Sequence, residues 1–206
     1  MTQLQITQNL FLAHSKLMFN KRYLSAFLTF LCVVLFVSCS REPITQSQLT
    51  PVGNRKSPIS ISSIKHEGTY IKVVYGQPYR NGRTIFGDWE PYDQVWRTGA
   101  NEATEITFTE PVFMGDDVVE AGTYALFTIP NPDSWTIILN SELGQWGAFE
   151  YDESRDYLRF DVDVQPLEKP IEAFTIAFSD VGLSVSTMSL SWDVVRVDIP
   201  IRFYGE

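Results

Sequence analysis

Between Trp96 and Glu105 the chain sets a guanidinium, an amide and two carboxylates close together: Arg97, Asn101, Glu102 and Glu105, beside the indole of Trp96. A guanidinium fork grips a carboxylate at two points, and an amide both donates and accepts. Such a group is suited to orienting a polar ligand in a pocket. The same residues could equally serve the fold. A long loop crossing a sheet needs side chains to satisfy its backbone groups, and an Arg97–Glu102 pair with a tight turn at Gly99 would do that.

Other residues offer chemistry of their own. Glu102 and Glu105 could act as the two carboxylates of a glycoside hydrolase, which stand about 5–5.5 Å apart in retaining enzymes and about 6.5–9.5 Å apart in inverting ones. In an acidic domain, however, most such pairs are solvated surface. The Gly115-Asp-Asp-Val turn and the Asp161/Asp163 pair supply oxygens, but the turn lacks the interleaved ligand spacing of a calcium loop. His66 is the single histidine after Met18, and one imidazole cannot build a three-histidine zinc site. It is expected in an exposed loop ahead of Tyr70. No metal or cofactor is expected, since the chain has no phosphate-binding glycine loop, dinucleotide fingerprint or nucleophile elbow. Trp89 and Trp146 lie in glycine-containing loops, where an exposed indole could stack on a sugar ring. Trp135 and Trp192 sit at strand ends and fit a core.

The elements that must position these groups follow from the hydropathy pattern. Lys21-Arg22 precede an apolar run over residues 24–37 that ends in Ser38-Cys39. A basic segment followed by a short apolar one is the layout of a secretory signal. The run is shorter than the roughly 20 residues a spanning helix needs. Phe36-Val-Ser-Cys39 resembles the lipobox of bacterial lipoproteins, with Phe where Leu is usual. The expected organisation is therefore a signal peptide over 1–38 (its true start possibly at Met18), a lipidated Cys39 with a Pro-containing flexible tether to residue 57, and one domain over 58–206. That places the protein outside the cytoplasm, held to the membrane of a cell envelope through lipid on Cys39.

The segment before Cys39 contains no acidic residue. The remainder carries 25 acidic residues against 13 Lys and Arg, a net charge of −12. A surface so acidic repels phosphate backbones, so nucleic acid is not an expected partner. With Cys32 removed and Cys39 lipidated, the domain would have no thiol for catalysis, a disulfide or a metal. It must hold together by burial, which a domain of roughly 150 residues can do.

From residue 58 onward the apolar residues recur with period two. Strand-like runs cover 70–75, 104–109, 123–129, 135–140, 157–164, 173–178, 187–192 and 195–203. They are broken by turn signals such as Asn81-Gly82, Gly115-Asp-Asp, Ala121-Gly and Pro130-Asn-Pro-Asp. Eight or nine short strands without a convincing helix predict an all-β fold, a single antiparallel sandwich, jelly-roll-like or a partly closed barrel. Pro200, lacking a ladder donor, argues that the last strand lies at an edge.

One stretch is not explained by periodicity: Phe86-Gly-Asp-Trp-Glu-Pro-Tyr-Asp-Gln-Val-Trp-Arg-Thr-Gly-Ala-Asn-Glu-Ala-Thr104. With Gly82-Arg83, Ala121-Gly-Thr-Tyr-Ala-Leu-Phe-Thr-Ile-Pro130, Trp135-Thr-Ile-Ile-Leu-Asn140 and Leu190-Ser-Trp-Asp193, it resembles the signature of the bacterial family catalogued as domain of unknown function 2911. The likeness runs from about Pro58 to Phe203. The acidic Asp88-Trp-Glu90 departs from it, since members are usually more apolar there. The resemblance implies an exported β-sandwich, often a lipoprotein, and carries no catalytic residue across.

The sequence thus points to a non-catalytic envelope module for a glycan, peptide or partner protein, with Trp96, Arg97, Asn101, Glu102, Glu105 and Trp146 as candidate ligand-binding residues. The alternatives are a structural envelope protein without a ligand and a carboxylate-dependent hydrolase.

Overall fold

The structure is a computed structural model that describes residues 55–182 and 184–203. The expected signal segment, Cys39 and the expected tether as far as residue 54 lie outside the described residues.

Nine strands occupy the described chain: β1 (Ile59–His66), β2 (Thr69–Gly76), β3 (Thr104–Phe108), β4 (Val112–Met114), β5 (Asp117–Val119), β6 (Gly122–Ile129), β7 (Ser134–Asn140), β8 (Asp156–Phe178) and β9 (Val185–Phe203). They form one antiparallel sheet in the order β1-β2-β3-β6-β7-β8-β9-β4-β5. The sheet does not close, so β1 and β5 are its two ends. The protein is all-β and sandwich-like, as its alternation predicts.

β8 explains how one sheet makes two layers. Its first part pairs with β7, from Ser134↔Asp163 to Asn140↔Asp156. Its second part pairs with β9, from Val164↔Val197 to Phe178↔Met188, with register shifts between Pro166 and Ile171 and between Ile171 and Thr175. Pro166 and Pro170 supply no N–H to a ladder, so the strand can change partner and bend there. The two halves then present their apolar faces to one core. Ile71, Val73, Ile106, Leu126, Trp135 and Ile137 come from one layer, and Phe174, Met188, Leu190, Trp192, Val197 and Ile199 from the other.

Three features differ from the sequence reading. β1, which opens Ile-Ser-Ile-Ser, and the short β4 and β5 add strands. The runs 157–164 and 173–178 fuse into β8, and 187–192 and 195–203 into β9. β9 is also not an edge strand, since β4 pairs along its end through Val112↔Phe203 and Met114↔Ile201. Pro200 is tolerated because the β8 ladder has already ended at Val197, leaving no partner for its missing N–H on that side.

β6 and β7 do not alternate cleanly, because both of their faces are covered. Phe127, Ala125 and Ile138 form a second cluster with Ala103, against which Ala148 and Tyr151 pack. The segment between β7 and β8 thus lies over the outer face of the sheet, and it builds one wall of the site.

Candidate functional site: a groove at Glu102 and Glu105

The loop between Arg97 and Thr104 is held shut by its own polar groups. The Thr104 N–H donates to the Arg97 carbonyl at 3.1 Å, and the Thr104 hydroxyl donates to the Thr98 carbonyl at 2.7 Å. The Thr98 hydroxyl donates to that of Thr128 at 3.2 Å. Thr98 and Asn101 take φ of 54° and 67°, left-handed conformations that cost a non-glycine residue energy unless its surroundings enforce them. The Ala100 N–H donates to the Gly76 carbonyl at 3.0 Å. A Cβ at Gly76 would stand 2.0 Å from the Ala100 oxygen, so only glycine admits the loop this close to β2.

The same loop is zipped to the segment after β7. Ala103 N–H donates to the Gln145 carbonyl, and Gly147 N–H to that of Asn101, both at 2.9 Å. Glu102 and Trp146 form a bridge, and the Gly144 N–H donates to Glu105 Oε1 at 3.1 Å. Between these walls and the start of β1 lies a groove of about 250 Å³, lined by Ile59, Val74, Tyr75, Gly76, Ala103 and Gly144 with Glu102 and Glu105. Its walls are mostly apolar and its two charged groups are both carboxylates. Trp146 stands beside it, 58 % exposed.

The segment ahead of β1 reaches this rim. Arg55 forms an ion pair with Glu102. The Ser57 carbonyl accepts from Asn101 Nδ2 at 3.5 Å, and the Pro58 carbonyl accepts from the Gln77 N–H at 2.8 Å.

The residues expected to form one site therefore divide. Glu102 and Glu105 line the groove, Trp146 stands beside it through its bridge to Glu102, and Asn101 shapes its loop. Trp96 is buried in the core, stacked on Trp192 at 5.9 Å between ring centres and edge-on to Trp135 at 6.0 Å, with its Nε1 donating to the Gly99 carbonyl at 3.2 Å. Arg97 does not pair with Glu102, whose partner is Arg55. It lies instead in the field of Glu90. Burial pushes the Glu90 carboxyl up to about 7, against the opposing pull of the Arg97 and Arg83 charges. The buried Nε of Arg97 has no hydrogen-bond partner among the described residues. Arg83 stacks over the exposed Trp89 at 4.0 Å. This second cluster fastens the loop after β2 to β9: Arg80 pairs with the buried Asp193 at 2.9 Å, and the Ile85 N–H donates to the same carboxylate at 3.3 Å.

His66 closes β1 instead of standing in an open loop. Its ring lies 4.8 Å from that of Phe203. Among the described residues no group of three or more His, Cys, Asp or Glu is placed to hold a metal.

Sequence reasoning missed Arg55, Ile59, Val74, Gly76, Ala103 and Gly144. The one local signal was the alternation from Ile59 onward, which places Ile59, Ile61 and, through the pairing of β1 with β2, Val74 on one face.

The fold and the groove define a class: an open all-β sandwich with a small, acidic, apolar-walled cleft at the outer face of one layer. The chain belongs to the family described as protein of unknown function (DUF2911), whose profile matches residues 57–201. No curated protein and no solved structure matches the chain.

Proposed function

We propose that this protein is an exported, lipid-anchored envelope module that binds a peptide or protein segment, without catalysis, in the groove at Glu102 and Glu105. The groove itself carries the proposal. It joins an apolar floor to two carboxylates, which is how binding sites combine burial with orientation. At about 250 Å³ it is smaller than the roughly 300–1,000 Å³ usual for sites that engulf a small molecule. A single side chain of a longer partner fits that scale better than a glycan chain does. Glu105 is committed to the Gly144 N–H and Glu102 to an arginine, so both carboxylates act as acceptors. The carboxyl that burial keeps protonated up to about 7 is Glu90, which does not line the groove. These points favour recognition over acid–base hydrolysis.

The anchor rests on the basic pair, apolar run and Cys39 of the sequence. In the native bacterium, wild-type protein is expected to incorporate labelled palmitate and Cys39→Ser to lose the label; label retained in the variant would contradict the anchor.

Binding is tested by thermal melts of the full-length chain in mild detergent against peptide and oligosaccharide panels. A ligand at a hundredfold excess over Kd stabilises by about 2.7 kcal/mol. Peptides are expected to raise the melting temperature of the wild type but not of Glu105→Gln. Stabilisation by sugars alone, or equally in both proteins, would contradict the reading.

A further inference from the structure

The rim carboxylate Glu102 already pairs with one basic side chain, and that side chain comes from the chain's own tether. Arg55 precedes β1 by four positions, yet its guanidinium rests on Glu102, 47 residues on. The Arg55 side chain is 14 % exposed, against 49 % for Glu102. A tether arginine free to sample solvent would stay hydrated. This one is laid down along the rim by the Ser57 carbonyl on Asn101 and the Pro58 carbonyl on Gln77. Next to it are apolar groups left uncovered: Ile59 is 39 % and Ile61 64 % exposed, on a strand at the end of the sheet. Exposed aliphatics on an end strand are costly to leave open, and soluble folds usually guard such edges with charge. Here Lys65 guards the far end of the strand, while the charges beside Ile59 in the groove are the carboxylates of Glu102 and Glu105.

Resting on the binding reading above, we propose that the partner is a peptide segment presenting an arginine flanked by apolar residues, and that Arg55 is an internal competitor for the rim carboxylate Glu102, displaced when the partner binds. A guanidinium is planar, weakly hydrated and able to fork onto a carboxylate while its methylenes lie on aliphatic surface. Glu102 at the rim supplies the carboxylate, and Ile59, Val74 and Ala103 supply the surface. Glu105 adds a second negative charge at the same mouth. The net charge of the chain, −9, draws a cationic partner toward it. An internal competitor lowers the apparent affinity by the fraction of molecules whose Glu102 is free. Removing Arg55 therefore strengthens partner binding, whereas removing Glu102 weakens it.

The experiment is fluorescence anisotropy of the full-length chain in mild detergent, with a labelled Leu-Arg-Leu peptide and its citrulline counterpart, which keeps shape but loses charge. Wild type is expected to bind the arginine peptide saturably and the citrulline peptide about tenfold more weakly, a difference near 1.4 kcal/mol. Arg55→Ala should tighten the arginine peptide severalfold, and Glu102→Gln should weaken it about tenfold while melting as wild type does. Equal affinity of Arg55→Ala and wild type would overturn the internal competition. Equal affinity for arginine and citrulline, with binding still lost in Ile59→Asp, would overturn the guanidinium and leave the groove as the site. No binding of either peptide at millimolar concentration by any of these proteins would overturn both this inference and the peptide reading beneath it.

Discussion

Glu90 shows how much one residue's surroundings can decide. Its carboxyl is pushed from 4.5 up to about 7 by burial, with Arg97 and Arg83 pulling the other way. In the unfolded chain it ionises near 4.5, so between about pH 4.5 and 7 the folded state binds more protons than the unfolded one. Stability from this group is then highest below pH 4.5, falls through that window and is flat above about 7. The loss amounts to at most about 3 kcal/mol. Glu90→Gln is expected to match wild type at pH 4.5 and to melt higher at pH 8, which thermal melts across that range will show. Arg97→Gln should shift the fall to higher pH, because one of the charges holding the carboxyl down is gone. Gly76→Ala is predicted to cost more than about 4 kcal/mol in denaturant melts, since the new methyl meets backbone and not a movable side chain. A loss below 1 kcal/mol would mean that the loop is not held against β2 as described. Residue types and spacing made the Trp96–Glu105 block stand out, but they could not divide it. Trp96 and Arg97 are consecutive, and on extended backbone neighbouring side chains point to opposite faces. Which face was core depended on Trp192 and Phe174, far along the chain.

At the scale of elements, the covering segment between β7 and β8 decides whether the groove has a second wall. It is fastened by Asp156, whose carboxylate accepts from Asn140 Nδ2 at 2.8 Å and from the Tyr151 hydroxyl at 2.6 Å, and pairs with Arg159 at 3.1 Å. Arg159 also donates to the Tyr151 hydroxyl at 2.8 Å. Asp156→Ala removes one partner each from the buried Asn140, from the half-buried Tyr151 and from Arg159. It is expected to cost about 2–3 kcal/mol and to speed hydrogen exchange at the Gly144 and Gly147 amides. Unchanged exchange there would show that the wall stands without this network. The strands that carry long alternating runs, β2 and the first part of β8, were legible from period two, whereas β6 and β7 were legible from their apolar and β-branched content between turns. β1 was not singled out because its alternation uses serine on the buried-edge side. The fusion of runs into β8 was hidden by Pro166 and Pro170, which read locally as breaks although the backbone continues extended through them.

Across the whole molecule, β8 belongs to both layers, so neither can unfold without losing a strand of the other. Tryptophan fluorescence, whose environment-sensitive part comes from Trp96, Trp135 and Trp192 in the core while Trp89 and Trp146 are already exposed, and far-ultraviolet circular dichroism are predicted to change in one coincident transition. Two separated midpoints would contradict a single cooperative sandwich. The all-β architecture was accessible from composition and turn chemistry, but the groove was not, because it exists only where β1, the loop before β3 and the segment after β7 converge. Its use as a binding site is the central claim. The most direct test is amide chemical-shift mapping of the full-length chain titrated with the Leu-Arg-Leu peptide. Shifts are expected only at Ile59, Val74, Glu102, Ala103, Glu105 and Gly144, with Arg55 moving as it is displaced. Shifts centred instead on Trp89, Arg83 and Arg97, or none at saturating peptide, would contradict that claim.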